Sequence, residues 1–237
     1  MLQIKGLTKT YENGKRAASN INLDIQDGEI FAFIGHNGAG KTTTIKCVVG
    51  LLNFEAGDIT INGFSIKKDP IACKKITAYI PDNPDIYESL TGIQYLNFIA
   101  DIYDIPKTTR HLDIETYAND FELTKNLGDL ISSYSHGMKQ KLVLISAFIR
   151  HPKLLILDEP FVGLDPKAAF TVKQIMKEMC DSGAMVFFST HVLEVAEKLC
   201  SRVAMIQRGE IIAYGTMEDV KGDKSLEEAF LELDKHA

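Results

Sequence analysis

The sequence of 237 residues has no long uninterrupted apolar stretch and no excess of basic side chains. A membrane-spanning helix needs about 20 consecutive apolar residues, whereas the apolar stretches here resemble the short one at 142–149. Lys and Arg number 26 against 32 Asp and Glu, a net charge of −6, so no basic field attracts nucleic-acid phosphates over long range. We therefore expect no transmembrane segment and no nucleic-acid partner.

Cysteine is sparse, and its four positions (Cys47, Cys73, Cys180 and Cys200) contain no C-x-x-C pair. This usage is typical of small apolar packing residues in a reducing cytosol. The first six residues, Met-Leu-Gln-Ile-Lys-Gly, lack the charged, apolar and small-residue order of a signal peptide. We expect a cytoplasmic protein whose link to a membrane comes through a partner.

Short apolar segments alternate with longer helical patterns, which favours an α/β fold with a mainly parallel sheet. Turn signals at 27–28, 62–63 and 208–209 separate neighbouring predicted strands. We expect the first and last of them to form antiparallel hairpins. The predicted strands are 2–7, 21–25, 30–34, 59–61, 76–80, 154–157, 185–189, 203–207 and 211–214.

The segment from 91 to about 150 has a helical texture instead. Thr91 and Gln94 have the spacing of a capping box, and 107–121 continues in helical style after Pro106. We interpret 84–150 as a helical subdomain inserted between two strands of the core, within one domain that spans 1–237. Residues 203–237 are expected to form a C-terminal strand hairpin and a short helix.

Residues 35–42 match the phosphate-binding pattern G-x-x-x-x-G-K-[ST], between a predicted strand and a predicted helix. Glycines let backbone N–H groups curl around an anion, and the helix N-terminus adds partial positive charge. Lys41 is expected to reach the β- and γ-phosphates, and the Thr42 hydroxyl to ligate Mg²⁺. The predicted nucleotide-binding residues here are Gly35, His36, Asn37, Gly38, Ala39, Gly40, Lys41, Thr42 and Thr43.

Polar residues also follow two later strands. Asp158 and Glu159 come directly after the apolar strand at 154–157, where the first acid of a P-loop protein holds Mg²⁺, usually through water. Glu159 is then placed to orient or deprotonate the attacking water. His191 follows the strand at 185–189 and is expected to contact the γ-phosphate, because ligands bind at the carboxyl ends of parallel strands.

The stretch Ser-Tyr-Ser-His-Gly-Met-Lys-Gln-Lys at 133–141 precedes an apolar, helix-like segment. From the residues alone it has three interpretations: a helix cap, a catalytic Ser/His pair, or a set of donors aimed at an anion. The acyl-transfer constellation that would support a Ser/His nucleophile does not accompany it in the sequence.

With these motifs in this order, nearly the whole chain resembles the ATP-binding cassette (ABC) ATPases. The resemblance implies a P-loop NTPase core with a mainly parallel sheet, an antiparallel β lobe and an inserted α-helical subdomain. It also implies that Tyr11 stacks on adenine and that two subunits pair head to tail. Ser135 and Gly137, in the family's signature motif, then contact the γ-phosphate held by the opposite subunit, and Asp165 lies at the same seam.

Two departures from the family pattern stand out. Tyr134, His136 and Met138 replace three residues of the usual Leu-Ser-Gly-Gly-Gln signature, and His136 is either a titratable contact at the seam or merely tolerated there. The family's Mg²⁺-ligating and coupling glutamine aligns with Asp82. A carboxylate can also ligate Mg²⁺, and the alternative is that Asn83 substitutes.

The resemblance implies the ATPase subunit of an ABC transporter that uses ATP and Mg²⁺. Its expected partners are transmembrane permease subunits and a second ABC ATPase subunit, identical or not, on the inner face of the cell membrane. We expect an exporter, because the segment 225–234 resembles the terminal helix common in exporter cassettes; it is equally read as an amphipathic helix that seals the domain. The rival interpretation is a soluble single-cassette scaffold, whereas a GTPase is disfavoured by the missing Asn-Lys-x-Asp motif.

Overall fold

The structure is a computed structural model that describes residues 1–236. Strands and helices alternate through most of the chain, as the sequence predicts. The strands are β1 (Leu2–Thr10), β2 (Arg16–Ile25), β3 (Ile30–Ile34), β4 (Ala56–Ile61), β5 (Phe64–Ser65), β6 (Thr77–Ile80), β7 (Leu154–Asp158), β8 (Met185–Thr190), β9 (Arg202–Gln207) and β10 (Glu210–Thr216). The α-helices are α1 (Lys41–Val48), α2 (Pro70–Ile76), α3 (Gly92–Ile102), α4 (Lys107–Asp120), α5 (His136–Phe148), α6 (Pro166–Asp181), α7 (Leu193–Leu199), α8 (Met217–Lys221) and α9 (Leu226–His236).

A six-stranded sheet forms the centre, with the order β10-β9-β3-β8-β7-β6. Its strands are parallel except for β10, which pairs antiparallel with β9. Every residue of β3, β7 and β8 is buried, because helices or the second sheet cover both faces of a parallel sheet. The predicted mainly parallel α/β fold is confirmed.

The second sheet is four-stranded and antiparallel, with the order β2-β1-β4-β5. The hairpin predicted at 27–28 is wrong, because β2 belongs to this sheet whereas β3 belongs to the central one. Gly28 adopts a left-handed φ of 78°, and its N–H donates to the carbonyl of Ala184 just before β8. The turn therefore carries the chain from one sheet to the other. The hairpin predicted at 208–209 is present between β9 and β10.

The helices α3, α4 and α5 lie between β6 and β7 in the chain. The capping box is confirmed: Thr91 Oγ1 accepts from the N–H of Gln94 at 3.3 Å, and Gln94 Oε1 accepts from the N–H of Thr91 at 2.9 Å. Stacked rings of Phe121 and Phe148, 6.1 Å apart, help join the end of α4 to α5. The boundaries of a helical subdomain at 84 and 150 stay a prediction. The structure also contains β5 and α2, which the sequence pattern does not predict.

After β10 the chain forms α8 and α9, and Leu226 and Phe230 of α9 are buried. The predicted C-terminal unit thus contains a strand pair and helix, although Ala237 lies outside the described residues. All four cysteines are buried and free, and burial raises the pKa of the Cys47 thiol to about 11. Within residues 1–236, no helix is long and apolar enough to cross a membrane.

Candidate nucleotide-binding site

The predicted site residues gather at one edge of the central sheet. Because β3, β6, β7 and β8 are parallel, their carboxyl ends meet there. The loop after β3 carries the phosphate-binding pattern, and the loop after β6 carries Asp82. Asp158 ends β7, and His191 follows β8.

The phosphate-binding loop depends on glycine for packing as well as for anion binding. A Cβ on Gly40 would lie 2.2 Å from the carbonyl oxygen of Ala17, and the residue has a left-handed φ of 115°. A Cβ on Gly35 would lie 2.4 Å from the carbonyl oxygen of Ile206. A side chain at either position would force the backbone apart, so glycine lets the loop lie close to β2 and β9.

Lys41 is the only cation in the described loop 35–42, and it is only 6% exposed. Its Nζ donates to the carbonyl of Gly35 at 2.6 Å and to that of His36 at 3.3 Å. Glu159 Oε1 lies 3.4 Å from the same nitrogen. The lysine thus curls back over its own loop, and a neighbouring carboxylate balances its charge.

Two oxygen donors suited to Mg²⁺ meet beside α1. The Thr42 hydroxyl donates to Asp158 Oδ2 at 2.7 Å, and the Ser189 hydroxyl donates to Oδ1 of the same carboxylate. Asp158 is 2% exposed. Among residues 1–236, no group of three or more His, Cys, Asp or Glu side chains forms a metal cage. Mg²⁺ is usually held by one or two carboxylates together with substrate phosphates, and Asp158 is a buried carboxylate of this kind.

Glu159 connects the lysine to the predicted γ-phosphate contact. Its Oε2 lies 2.9 Å from Nδ1 of His191 and accepts from the backbone N–H of that residue at 3.3 Å. Its backbone has a left-handed φ of 52°, a strained value for a non-glycine residue of the kind found at functional sites. This backbone turns the carboxylate away from the path of β7 and toward Lys41 and His191. The backbone N–H of Glu159 donates to the Ser189 hydroxyl oxygen at 3.2 Å.

Lys41, Thr42 and Glu159 border a cavity of about 340 Å³, whereas Asp158 and His191 are not among its lining residues. Tyr11 lines one side of it and is 38% exposed, with its hydroxyl 3.1 Å from Thr43 Oγ1. Asp82 lies on the wall as well, together with Lys15, which the sequence reasoning missed. The lining residues are Tyr11, Lys15, Ala17, His36, Asn37, Gly38, Gly40, Lys41, Thr42, Thr43, Asp82 and Glu159.

A second missed residue is Phe230 of α9. Its ring packs edge-on against the His36 imidazole, with the ring centroids 4.9 Å apart. The terminal helix therefore touches the phosphate-binding loop directly. No sequence signal could have shown this contact, because 194 positions separate the two residues and nothing in the helical pattern names its packing partner.

The signature segment lies elsewhere. Ser135 is the N-cap of α5, and its Oγ accepts from the N–H of Met138 at 3.3 Å, so the helix-cap interpretation is confirmed. Neither Ser135 nor Gly137 lines the cavity of the phosphate-binding loop. Tyr134 faces the interior, 5% exposed, and donates to the carbonyl of Asn126 at 2.6 Å.

His136 and Asp165 connect the segment that follows Glu159 to α5, the signature helix, which begins within the signature motif. A Cβ on Gly163 would lie 3.2 Å from His136 Nε2, so the imidazole covers that glycine. Asp165 caps α6 by accepting from the N–H of Ala168 at 2.8 Å, and Lys141 of α5 lies 2.8 Å from its other oxygen. The Lys141 ammonium, followed by that N–H, lowers the pKa of Asp165.

This edge of the sheet thus brings together a phosphate-binding loop, a buried lysine, a carboxylate paired with a hydroxyl, and a second carboxylate in contact with a histidine. Comparison with known proteins agrees with this arrangement. The family model described as ABC transporter matches residues 18–162. The ABC-type transporter ATP-binding protein EcsA of Bacillus subtilis (strain 168) is 35% identical over 240 residues, covering 99% of this chain and 97% of EcsA.

Two further similarities extend over most of the chain. The linearmycin resistance ATP-binding protein LnrL of Bacillus subtilis (strain 168) is 33% identical over 223 residues, covering 93% of this chain and 70% of LnrL. A solved ATP-binding subunit of an ABC transporter superposes with a TM-score of 0.95 and 34% identity, covering 99% of both chains.

Proposed function

This chain belongs to the ABC transporter family as an ATP-binding subunit with ATPase activity, and we propose that it drives export through separate membrane subunits. Subunits of this family act with a transmembrane component. The main observation in support is that this chain has two sets of phosphate-binding groups, which lie in different places. Lys41, Thr42 and Glu159 border one cavity, whereas the signature residues Ser135 and Gly137 lie outside it.

The chemistry follows from the groups around the cavity. The loop N–H groups and Lys41 hold the β- and γ-phosphates of ATP, and Thr42 and Asp158 would hold Mg²⁺, which neutralises phosphate charge when bound. Glu159 is placed to polarise a water molecule near the γ-phosphate. His191 fixes that carboxylate through its 2.9 Å contact. Phosphoryl transfer needs positioning and charge stabilisation rather than a covalent intermediate on the protein.

The unused donors of the signature segment point to a second copy. Ser135 and Gly137 stand at the N-terminus of α5, where the helix dipole favours an anion. Two chains arranged head to tail place this helix end against the γ-phosphate in the other chain's cavity. ATP then joins the two chains, and loss of the γ-phosphate removes much of the attraction between them.

The export direction and the membrane partner rest on similarity and placement. LnrL is named for linearmycin resistance, and resistance to a compound is a task that export can perform. The segment that resembles the terminal helix of exporter cassettes forms α9. The membrane subunits are proposed to meet this chain at the loop around Asp82 and at the neighbouring helices α3 and α5. Asp82 borders the nucleotide cavity, so movement of this loop links nucleotide state to the partner.

A mixing experiment tests whether two chains share each site. Lys41→Ala removes the phosphate-binding lysine and Ser135→Ala removes a donor of the signature, so each variant alone should be nearly inactive. In a mixed dimer one site carries both defects and the other carries neither. With random pairing, half of the dimers are mixed and one of their two sites is intact, so about a quarter of wild-type ATP hydrolysis should return.

The matched control mixes Lys41→Ala with Thr42→Ala. Both changes lie in the same loop, so every site in the mixed dimer keeps one defect and activity should stay low. A Lys41→Ala and Ser135→Ala mixture that is no more active than this control would contradict a shared site between two copies of this chain.

A further inference from the structure

The short helix α2 has an outward face that the proposed function does not use. Ile71, Lys74 and Lys75 lie about one turn apart, so they share one side of the helix, and all three are exposed. Cys73, on the opposite side, is buried against the rest of the chain. Ile71 is 65% exposed, although the solvent side of a helix is normally polar. An apolar side chain therefore stands among lysines and faces away from the fold.

Phe64 of β5 extends this apolar feature. It is 43% exposed, and its carbonyl accepts from the Cys73 thiol at 3.4 Å, so β5 and α2 adjoin. Single exposed apolar side chains are ordinary on protein surfaces, whereas large apolar residues beside lysines are typical of elements that lie on a membrane surface. We call this patch the α2 surface; its residues are Phe64, Lys68, Ile71, Lys74 and Lys75.

The α2 surface is basic, although the chain as a whole has a net charge of −6. Residues 67–75 contain four lysines and one acidic residue, a local charge of +3. The side chains of Lys68 and Lys74 have no ion pair or hydrogen bond within the described residues. Lys75 meets only Asp104, at 4.0 Å, and both of these side chains are largely exposed. Three ammonium groups are therefore available to an anionic partner.

We propose that the α2 surface binds the anionic phospholipid headgroups of the membrane against which this chain works. Each lysine near an anionic bilayer strengthens binding by roughly fivefold. The lysine stems can extend along apolar surface while their ammonium groups reach the phosphates, and Ile71 and Phe64 can enter the boundary between headgroups and acyl chains. A nucleic acid would use the lysines but leave these two apolar side chains in water, so the surface favours lipid.

The place of α2 in the fold agrees with a membrane-facing position. The helix ends at Ile76, and β6 begins at the next residue and leads to the Asp82 loop. The contact between Lys75 and Asp104, just after α3, sets α2 beside a helix that is proposed to meet the membrane subunits. The presence of this chain at a membrane rests on the proposed function, whereas the preference for anionic lipid rests on the α2 surface alone.

The test is flotation of the whole chain with vesicles of phosphatidylcholine alone and with vesicles in which one quarter of the lipid is phosphatidylglycerol. The chain should float with the anionic vesicles at low salt, stay behind with the neutral ones, and be released at about 0.5 M salt, because salt screens the lysines. The triple variant Lys68→Gln, Lys74→Gln, Lys75→Gln should lower the partition coefficient about 100-fold. Ile71→Ser should lower it several-fold, since it removes the apolar contact.

Two control variants make the same chemical changes elsewhere on the surface. Lys107→Gln, Lys125→Gln, Lys177→Gln removes three exposed lysines far along the chain from α2 and should lower partitioning less than about threefold. Leu112→Ser removes an apolar side chain that is also exposed and should leave it unchanged. Thermal unfolding and ATP hydrolysis without vesicles should match wild type in every variant, which shows that each one folds.

Three results would overturn the lipid contact. They are no flotation with anionic vesicles at low salt, equal losses in the two triple variants, and binding that depends on the lysines but not on Ile71. The last result would indicate a general polyanion surface, such as one for nucleic acid. The mixing experiment with Lys41→Ala and Ser135→Ala tests the proposed function separately, because it contains no lipid and uses no residue of the α2 surface.

Discussion

Replacing Glu159 by glutamine removes one negative charge from the nucleotide cavity and leaves the shape of the side chain unchanged. In the chain described here that carboxylate serves two neighbours, Lys41 at 3.4 Å and His191 at 2.9 Å. The carboxylate is only 12% exposed, so water can replace little of the interaction that Lys41 and His191 lose. The change therefore acts on hydrolysis and on the stability of the nucleotide-free protein at once.

The magnitudes follow from these contacts. Loss of a positioned base lowers the hydrolysis rate by about 10²- to 10⁴-fold. Weakening a hydrogen-bonded contact to a charged group costs about 1.5–3 kcal/mol, which for a chain of this size lowers the melting temperature by roughly 3–12 °C. ATP should reverse part of this loss, because the γ-phosphate supplies the negative charge that Lys41 has lost. Each tenfold gain in ATP affinity adds about 1.4 kcal/mol of stabilisation at saturation.

The assay combines three measurements on one sample: phosphate release, thermal unfolding with and without ATP and Mg²⁺, and mass by light scattering. Glu159→Gln should release little phosphate, melt earlier without nucleotide, gain more than wild type from ATP, and accumulate as an ATP-dependent dimer. Glu122→Gln is the control, because it breaks an exposed ion pair with Lys167. A variant that hydrolyses ATP within threefold of wild type, or that stays monomeric with ATP, refutes the reasoning.

Two further predictions concern Phe230 and Asp165. Phe230→Ala removes the ring that packs against His36, so the KM for ATP should rise several-fold while kcat changes less than twofold. Leu233→Ala, farther along α9, is the control for a general loss of helix packing. Equal KM effects in the two variants would contradict a specific role for Phe230. Because the pKa of Asp165 is lowered in the folded chain, its stabilising contribution is present above the ordinary value of about 3.9 and is lost as the pH falls through the folded pKa. Asp165→Asn should therefore reduce stability at pH 7 and flatten the acid side of the stability profile in chemical unfolding between pH 2 and 7; an unchanged profile would count against the Lys141 contact.

The sequence predicts the central sheet well because its strands are short apolar stretches bounded by turn residues. Residues 30–34 are a strand in both the prediction and the structure. The phosphate-binding loop that follows can be predicted because its local geometry requires glycine, lysine and threonine at fixed positions. The hairpin at 27–28 failed because a turn signal does not say which sheet the next strand joins. That choice depends on the distant contact between Gly28 and Ala184.

The sequence does not predict which side chains pair with each other, because these pairs also depend on contacts between distant parts of the chain. The order of motifs places Asp158, Glu159 and His191 at one sheet edge, but only the fold shows that Glu159 bridges Lys41 and His191 or that Phe230 reaches His36. Lys15 carries no motif at all. Its significance comes from its place on the wall of the nucleotide cavity, which is a property of the folded chain rather than of the residue order.

The segment from Glu159 to Asp165 links the two halves of the proposed mechanism. At one end Glu159 contacts Lys41 in the chain's own nucleotide cavity. At the other, Gly163 packs under His136, and Asp165 holds Lys141 of the signature helix. Through this segment Glu159 is connected along the chain to the residues that pack against the signature helix. His136 is part of that connection, because its ring lies against Gly163.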